Sequence, residues 1–387
     1  MDISDILNHH GEKRSKYFNA VSPPVMQTSN FCFENVETMR AKIEKEFEVP
    51  FYTRGNNPTV EILRKKMAAL EHADDALITS SGCAAISTSV MANINAGEHI
   101  ICVKNCYSWT FTLINDILKR FNVEITFVDG TDINNFKNAI QPNTKLIYLE
   151  SPTSFLFELQ DIKAIVSLAK RHKITTIIDN SYSTPLYQNP IDMGIDIVIH
   201  SASKYLNGHS DVVAGVICSN KEMIKRIFST ELMTFGGIIS PENAWLMIRG
   251  LRTLPVRMEK SSISAEMIVD FLEKHPKVEK VIYPHSLCHQ QYKLAKEQMK
   301  RCGGMFSFIL KTNDVKKVDA FCDSLKRFLI ACSWGGYEAL IYPVAVLYSK
   351  GNNNKTELPF NFIRMYIGLE EPELLIEDME KAFKTLD

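Results

Sequence analysis

The strongest constraint on how this chain folds is an alternation along its first half. Between residues 76 and 199, short apolar runs rich in β-branched residues are separated by segments of helical spacing. The runs are Ala76–Ile78, His99–Val103, Val123–Val128, Lys145–Leu149, Ile174–Ile178 and Ile195–Ile199. Runs this short read as strands, and strands that alternate with helices build an α/β fold around a mostly parallel sheet. Ahead of them, Pro58 to Glu71 places Val60, Leu63, Met67 and Leu70 at helical spacing with proline in the first turn. A long helical region follows Ser240-Pro241-Glu242, and beyond about residue 260 the pattern becomes helices with strands such as Met305–Leu310 and Phe362–Ile367. That change predicts a smaller C-terminal α+β domain. The expected division is an N-terminal arm over 1–57, a large domain over 58–255 and a small domain over 256–387.

Composition narrows the function classes. With 387 residues, 45% of them hydrophobic, the chain can bury a sizeable core, and a formal net charge of −1 favours neither nucleic acid nor an anionic membrane as partner. The N-terminal stretch carries early acidic residues and no signal-like apolar core, and no run approaches the roughly 20 apolar residues of a membrane span, so a cytoplasmic location is expected. Nine cysteines occur without a CxxC pair or a zinc-like spacing, which reads as reduced, packed thiols and no metal site. The polar stretch Lys350–Lys355 reads as a surface loop.

The chemistry concentrates at strand ends. The run Ile195–Ile199 leads into Ser201, Ser203 and Lys204, and the run Ile174–Ile178 leads into Asp179. In α/β sheets such tips gather binding sites. Alone, Lys204 reads as a solvated surface residue; beside a strand-end carboxylate it reads differently. Pyridoxal 5'-phosphate requires such a pair: an amine to hold its aldehyde as a Schiff base, and a carboxylate to keep its ring nitrogen protonated. Ser80-Ser81-Gly82-Cys83 follows another strand and opens a helix, so the backbone N–H groups of Gly82 and Cys83 are candidate phosphate donors. A plain strand-to-helix turn is the alternative there. Tyr52 and Arg54 offer a phenol that can share a proton with an amine and a guanidinium fork for phosphate. Tyr107, just past the strand ending at Val103, is a candidate stacking partner for a cofactor ring, against the alternative of a core aromatic.

Taken together, these residues resemble the Cys/Met-metabolism pyridoxal-phosphate enzymes, among them the cystathionine β- and γ-lyases, cystathionine γ-synthase, methionine γ-lyase and the O-acylhomoserine sulfhydrylases. The blocks YTRGNNPT, SSGCAAI, ESPT, IIDNSYSTP, SASKYLNGHSDVVAG, RGLRTLPVRM, SWGGYEALI and IRMYIGLEE stand in that family's order nearly end to end. The resemblance implies a fold type I enzyme: a large domain with a mainly parallel seven-stranded sheet, a smaller C-terminal domain, and a homotetramer made of active-site-sharing dimers. It implies that Lys204 forms the Schiff base, that Asp179 partners the ring nitrogen and that Tyr107 stacks on the ring. Gly82, Cys83, Ser201 and Ser203 would hold the phosphate, with Tyr52 and Arg54 reaching in from a neighbouring subunit. Arg364 would take the substrate α-carboxylate, with Ser333 beside it.

Several positions depart from the family's usual pattern. Ser154 stands where an asparagine usually contacts the cofactor's phenolic oxygen and the substrate carboxylate. Phe51 and Cys332 replace acidic residues that would meet a distal ammonium, Trp109 stands where methionine γ-lyases carry cysteine, and SWGGYE with Trp334 resembles bacterial cystathionine β-lyases. The resemblance implies a carbon-sulfur lyase acting on cystathionine or a related sulfur amino acid, with Lys204 removing the α-proton and Tyr107 or Lys204 protonating the leaving sulfur. A γ-replacement synthase using an O-acylated homoserine and a methionine γ-lyase are the alternatives, and an aminotransferase and a cofactor-binding protein without turnover are the rivals from other classes. His209 and Asp211 read as structural hydrogen-bonding residues, and Glu150 as a structural salt-bridge or capping residue, so none is assigned a role.

Overall fold

A computed structural model describes residues 1–348 and 356–387. The loop read at Lys350–Lys355 lies outside the described residues. Seven strands form the large sheet: β1 (Asp75–Thr79), β2 (His99–Val103), β3 (Glu124–Val128), β4 (Thr144–Glu150), β5 (Thr175–Asp179), β6 (Ile197–Ser201) and β7 (Gly215–Ser219). Their order is β1-β7-β6-β5-β4-β2-β3, and β7 alone runs antiparallel, to both β1 and β6. The interior strands are buried on both faces, as at Ile100, Ile101, Leu146, Ile147, Ile177, Ile178, Ile197 and Val198. That is why they read as continuous apolar runs instead of alternating ones.

The parallel strands end at one edge, which therefore collects Val103, Glu150, Asp179 and Ser201. β7 brings Gly215 between Thr79 and Ser201 in register. A side chain on Gly215 would lie 2.1 Å from the Ser81 carbonyl, so only glycine lets the β1 exit loop cross here. The helix Pro58–Leu70 forms where expected, with the Asn57 side chain capping it and proline in its first turn. It also buries Lys66, whose Nζ donates to the carbonyls of Ile6 and Leu7 and pairs with Glu12, itself held by Arg14 and Arg252. This cluster ties the N-terminal helix Ile3–Asn8 to the body of the protein.

The helices Pro241–Arg252 and Leu254–Lys274 lead from the large sheet to a second, five-stranded one. Its strands are β8 (Val278–Ile282), β9 (Met305–Leu310), β10 (Leu329–Ile330), β11 (Leu340–Pro343) and β12 (Phe362–Tyr366), in the order β10-β11-β12-β9-β8. All pairs are antiparallel except β10 with β11. Helices Val315–Ser324 and Pro372–Phe383 contribute Phe321 and Phe383 to its core. The mainly parallel seven-stranded sheet and the smaller sheet-containing C-terminal part are the architecture that the resemblance to fold type I enzymes implies.

Candidate active site

Lys204 lies in the turn that leaves β6. Its backbone N–H donates to the Ser201 carbonyl and its carbonyl accepts from the Gly208 N–H, which fixes the turn. Nζ donates to Ser333 Oγ at 2.7 Å and stands 5.8 Å from the Trp334 ring. The block Ser333-Trp334-Gly335 thus lies directly on the lysine. A Cβ on Gly335, whose φ is +88°, would come 2.8 Å from the Lys204 carbonyl carbon. Burial, and then the Arg364 guanidinium, hold the Lys204 amine below the ordinary lysine range.

Asp179 ends β5, two strands from β7. Its Oδ1 accepts from the Ser181 N–H at 2.9 Å and from Ser181 Oγ at 2.5 Å, and Ser181 Oγ accepts the Ser201 N–H at 2.6 Å. These bonds aim one carboxylate and link the tips of β5 and β6. Burial still raises the Asp179 carboxyl above its usual value, with His200 and Lys204 opposing the shift. His200 is itself paired, through Nε2, with buried Glu71 at 2.5 Å.

The phosphate donors form where the sequence suggests. Ser81 caps the helix Gly82–Met91 by accepting the Ala84 N–H at 3.0 Å, which leaves the N–H groups of Gly82 and Cys83 with no protein acceptor among the described residues. Gly82 packs so closely on Ser201 that an added Cβ would lie 2.8 Å from the Ser201 Cβ. Two N–H groups and the Ser201 hydroxyl therefore lie together at the helix start, an arrangement suited to an anion. Ser203 is placed beside them, but its Oγ exchanges hydrogen bonds with the backbone of Ala214, accepting at 2.9 Å and donating at 3.3 Å.

Tyr107 follows β2 and is 39% exposed, lining the cleft and not the core. Its N–H donates to Glu150 Oε2 at 2.7 Å. Desolvation, with the Cys83 thiol and Asp179 adding, pushes its phenol up to about 12. Glu150 is the residue that sequence reasoning left aside as a salt-bridge or capping group. It has no cationic partner among the described residues: its second oxygen accepts from Ser154 Oγ at 2.7 Å, and in register it stands beside Asp179. Burial and that neighbouring carboxylate push Glu150 up to about 8. Ser154 is thereby committed to Glu150.

Arg364 projects from β12 and donates through Nη2 to the Ser333 carbonyl at 3.1 Å. Burial lowers it to about 10, and no carboxylate pairs with it among the described residues. Ser333 adopts a left-handed backbone, φ +74°, so that one residue meets both cations, its Oγ taking Lys204 and its carbonyl taking Arg364. Tyr52 and Arg54 are not part of this constellation within the protomer. They are exposed on the N-terminal arm, with the Arg54 guanidinium 5.4 Å from the Tyr52 ring. His209 and Asp211 bond separately to Asn207 and form no dyad.

An amine, a strand-tip carboxylate, an exposed aromatic and an anion cradle at one sheet edge fit pyridoxal phosphate. The orphaned N–H groups of Gly82 and Cys83, with Ser201 packed directly against Gly82, match its phosphate. Comparison with known proteins agrees. The chain is 39% identical to an L-methionine gamma-lyase of Treponema denticola over 98% of its length and 96% of that protein's. It is 36% identical to a cystathionine gamma-lyase of Bacillus subtilis over the whole of both. Among solved structures, a putative O-acetylhomoserine (thiol)-lyase of Campylobacter jejuni, with N'-pyridoxyl-lysine-5'-monophosphate, superposes with a TM-score of 0.93 at 28% identity, covering 99% of this chain and 100% of that one. The family model for Cys/Met metabolism PLP-dependent enzymes matches residues 5–384, and the chain belongs to that family.

Proposed function

We propose that this chain is a pyridoxal-phosphate-dependent carbon-sulfur lyase acting on L-amino acids whose side chain carries sulfur without a second charged head. The observation that carries this reading is the charge pattern of the cleft. The groups that bear on Lys204 are Arg364, Cys332, Asp179 and Cys83, and those that bear on Arg364 are Tyr342 and Cys332. Among these groups one cation is left for a substrate carboxylate, and no carboxylate is left for a distal ammonium once Asp179 is given to the ring nitrogen.

Bound in this site, the cofactor supplies a protonated ring that accepts the electrons freed when the substrate loses its α-proton. Asp179, held by Ser181, keeps the proton on that ring nitrogen. Gly82, Cys83 and Ser201 hold the phosphate, with Ser203 shaping the turn behind it. Lys204 anchors the cofactor and, released from it, takes the α-proton at Nζ; its depressed basicity leaves the free amine available nearer neutral pH. Arg364 orients the substrate through its carboxylate, with Ser333 spacing it from Lys204 and Ser154 acting only through Glu150. The Tyr107 phenol, kept protonated, can donate to the departing sulfur. Elimination then releases the thiol, and water hydrolyses the remaining enamine to keto acid and ammonia.

Exposed Tyr52 and Arg54 support a site completed by a second protomer, within a homotetramer of paired dimers. The unpaired cysteines support a cytoplasmic setting, and the helix break at Thr253 supports the division into large and small domains near residue 255. Among the described residues no helix is long and apolar enough to cross a membrane.

The test is to incubate the purified protein with L-methionine, L-cystathionine, L-cysteine, and O-acetylhomoserine plus sulfide. The reading expects 2-oxobutyrate from methionine or pyruvate from cysteine, with cystathionine turned over less efficiently. Preference for cystathionine by tenfold or more in kcat/KM would overturn the charge argument. A second reading, γ-replacement, is favoured by the name of the Campylobacter relative. Its mark is a new sulfur amino acid formed from O-acetylhomoserine and sulfide in excess of keto acid.

A further inference from the structure

We infer that Phe155 is a positioning residue that sets how strongly Arg364 takes the substrate carboxylate, an inference that rests on the reading of Arg364 given above. Three observations converge on it. Phe155 has φ +63°, and the Leu156 N–H reaches back across it to the Ser154 carbonyl at 2.7 Å. A bulky aromatic in the left-handed region inside such a tight turn is an outlier that persists only where its surroundings dictate it.

The surroundings are a row of side chains on the small sheet. Ser307 on β9, Arg364 on β12 and Tyr342 on β11 are cross-strand partners and share one face. Ser307 Oγ donates to the Phe155 carbonyl at 2.9 Å, and the Phe155 ring lies 5.7 Å from that of Tyr342. The Arg364 guanidinium carbon is 5.0 Å from the Phe155 centroid and 5.1 Å from the Tyr342 centroid. Those three separations make a nearly equilateral triangle, so the rings form a corner and not a sandwich. The corner fixes the arginine from one side while its remaining N–H groups, beyond the one given to Ser333, find no acceptor among the described residues.

A loop of the large sheet thus reaches across to hold an arginine of the small one. The neighbouring position cannot help, because the Ser154 hydroxyl is spent on Glu150. An unconstrained arginine must lose its rotamer freedom when a carboxylate arrives, whereas one seated in an aromatic corner has already lost it. Phe155 therefore acts on substrate binding and not on the bond-breaking step.

The experiment compares steady-state kinetics of F155L, F155Y, S307A and R364A holoenzymes on L-methionine. It also measures inhibition by an amino acid and by the corresponding amine that lacks the carboxylate. F155L is expected to raise KM about 5- to 20-fold with kcat changed less than about twofold, and to narrow the preference for the amino acid over the amine. F155Y, which keeps the ring, should restore KM to within about twofold of the parent. S307A, which frees the Phe155 carbonyl but leaves the ring, should move KM in the same direction as F155L, so the test survives if F155L does not fold. If R364A raises KM while F155L and S307A leave it unmoved, the inference is overturned and the role of Arg364 stands. If R364A itself leaves KM unmoved, the reading of Arg364 fails and this inference falls with it.

Discussion

Replacing Gly82 by alanine tests the phosphate cradle with a single methyl group. The added Cβ would lie 2.8 Å from the Ser201 Cβ, 2.9 Å from its Oγ and 3.0 Å from its Cα. Ser201 ends a central strand and cannot yield as a long side chain would. A normal carbon-carbon contact near 3.5 Å therefore requires the helix start to retreat by about 0.7 Å. The N–H groups of Gly82 and Cys83 move with it, away from the anion they serve. A hydrogen bond to a charged group contributes about 1.5–3 kcal/mol, so weakening two of them by half costs about 1.5–3 kcal/mol, or 10- to 100-fold in cofactor affinity. Alanine is also the better helix former by roughly 1 kcal/mol, so lost affinity should not track a general loss of helix stability. The assay is titration of apoprotein with pyridoxal phosphate, followed by absorbance, for G82A and for G82A combined with S201G. The double variant removes the obstructing Cβ but also the Ser201 hydroxyl that shares the phosphate, so it should regain only part of the affinity lost in G82A. Wild-type affinity in G82A alone would refute the reasoning.

Other consequences follow from the buried charges. Because Glu150 is pushed up to about 8, the folded protein holds a proton there that the unfolded chain releases near 4.5. Its contribution to stability is therefore complete below about pH 4.5 and lost as pH rises through 8, by an amount on the order of several kcal/mol. E150Q should flatten that decline, seen as thermal midpoints that converge at low pH and favour the variant at high pH; parallel midpoints would contradict it. Lys204 is depressed by burial and by Arg364, so activity should rise with pH at a lower value than an ordinary lysine would give. In R364Q that acid limb should move to higher pH, and an unmoved limb would remove Arg364 as a cause. K66M should lower stability by about 3 kcal/mol and expose the Ile3–Asn8 helix to proteolysis, since it strips Glu12 of its buried partner and two carbonyls of their donor. Unchanged proteolysis would show that Arg14 and Arg252 suffice.

Much of the large sheet was legible because strands buried on both faces must be continuously apolar. His99–Val103 and Met305–Leu310 fall on their expected bounds, and β1, β3, β4, β5 and β6 differ by one or two residues. β7 escaped because only Val216, Ile217 and Cys218 of Gly-Val-Ile-Cys-Ser are apolar, between small residues; it pairs with the preceding strand β6 and with β1 far off in sequence. β10 is two exposed residues and β11 ends in proline, so neither carries a strand pattern. At the site, Lys204, Asp179, Gly82 and Tyr107 were readable because each sits at a strand tip or helix start with a distinct chemistry. Phe155 and Glu150 were not. Nothing in the residue name Phe forecasts a left-handed backbone or a seat against an arginine of a distant strand. Glu150 looked like a salt-bridge carboxylate because its true partners, the Tyr107 N–H and the Ser154 hydroxyl, are neutral. Ser154 marked a departure from its family's pattern, and the structure supplies the reason the departure is tolerated locally.

The measurement that bears most directly on the central claim is peptide mapping after borohydride reduction of the pyridoxal-phosphate-loaded protein. Mass spectrometry should find a phosphopyridoxyl group on one residue, Lys204, with the label lost in K204R. A label on any other lysine, or loaded K204R protein that still turns over sulfur amino acids at the parent rate, would contradict it.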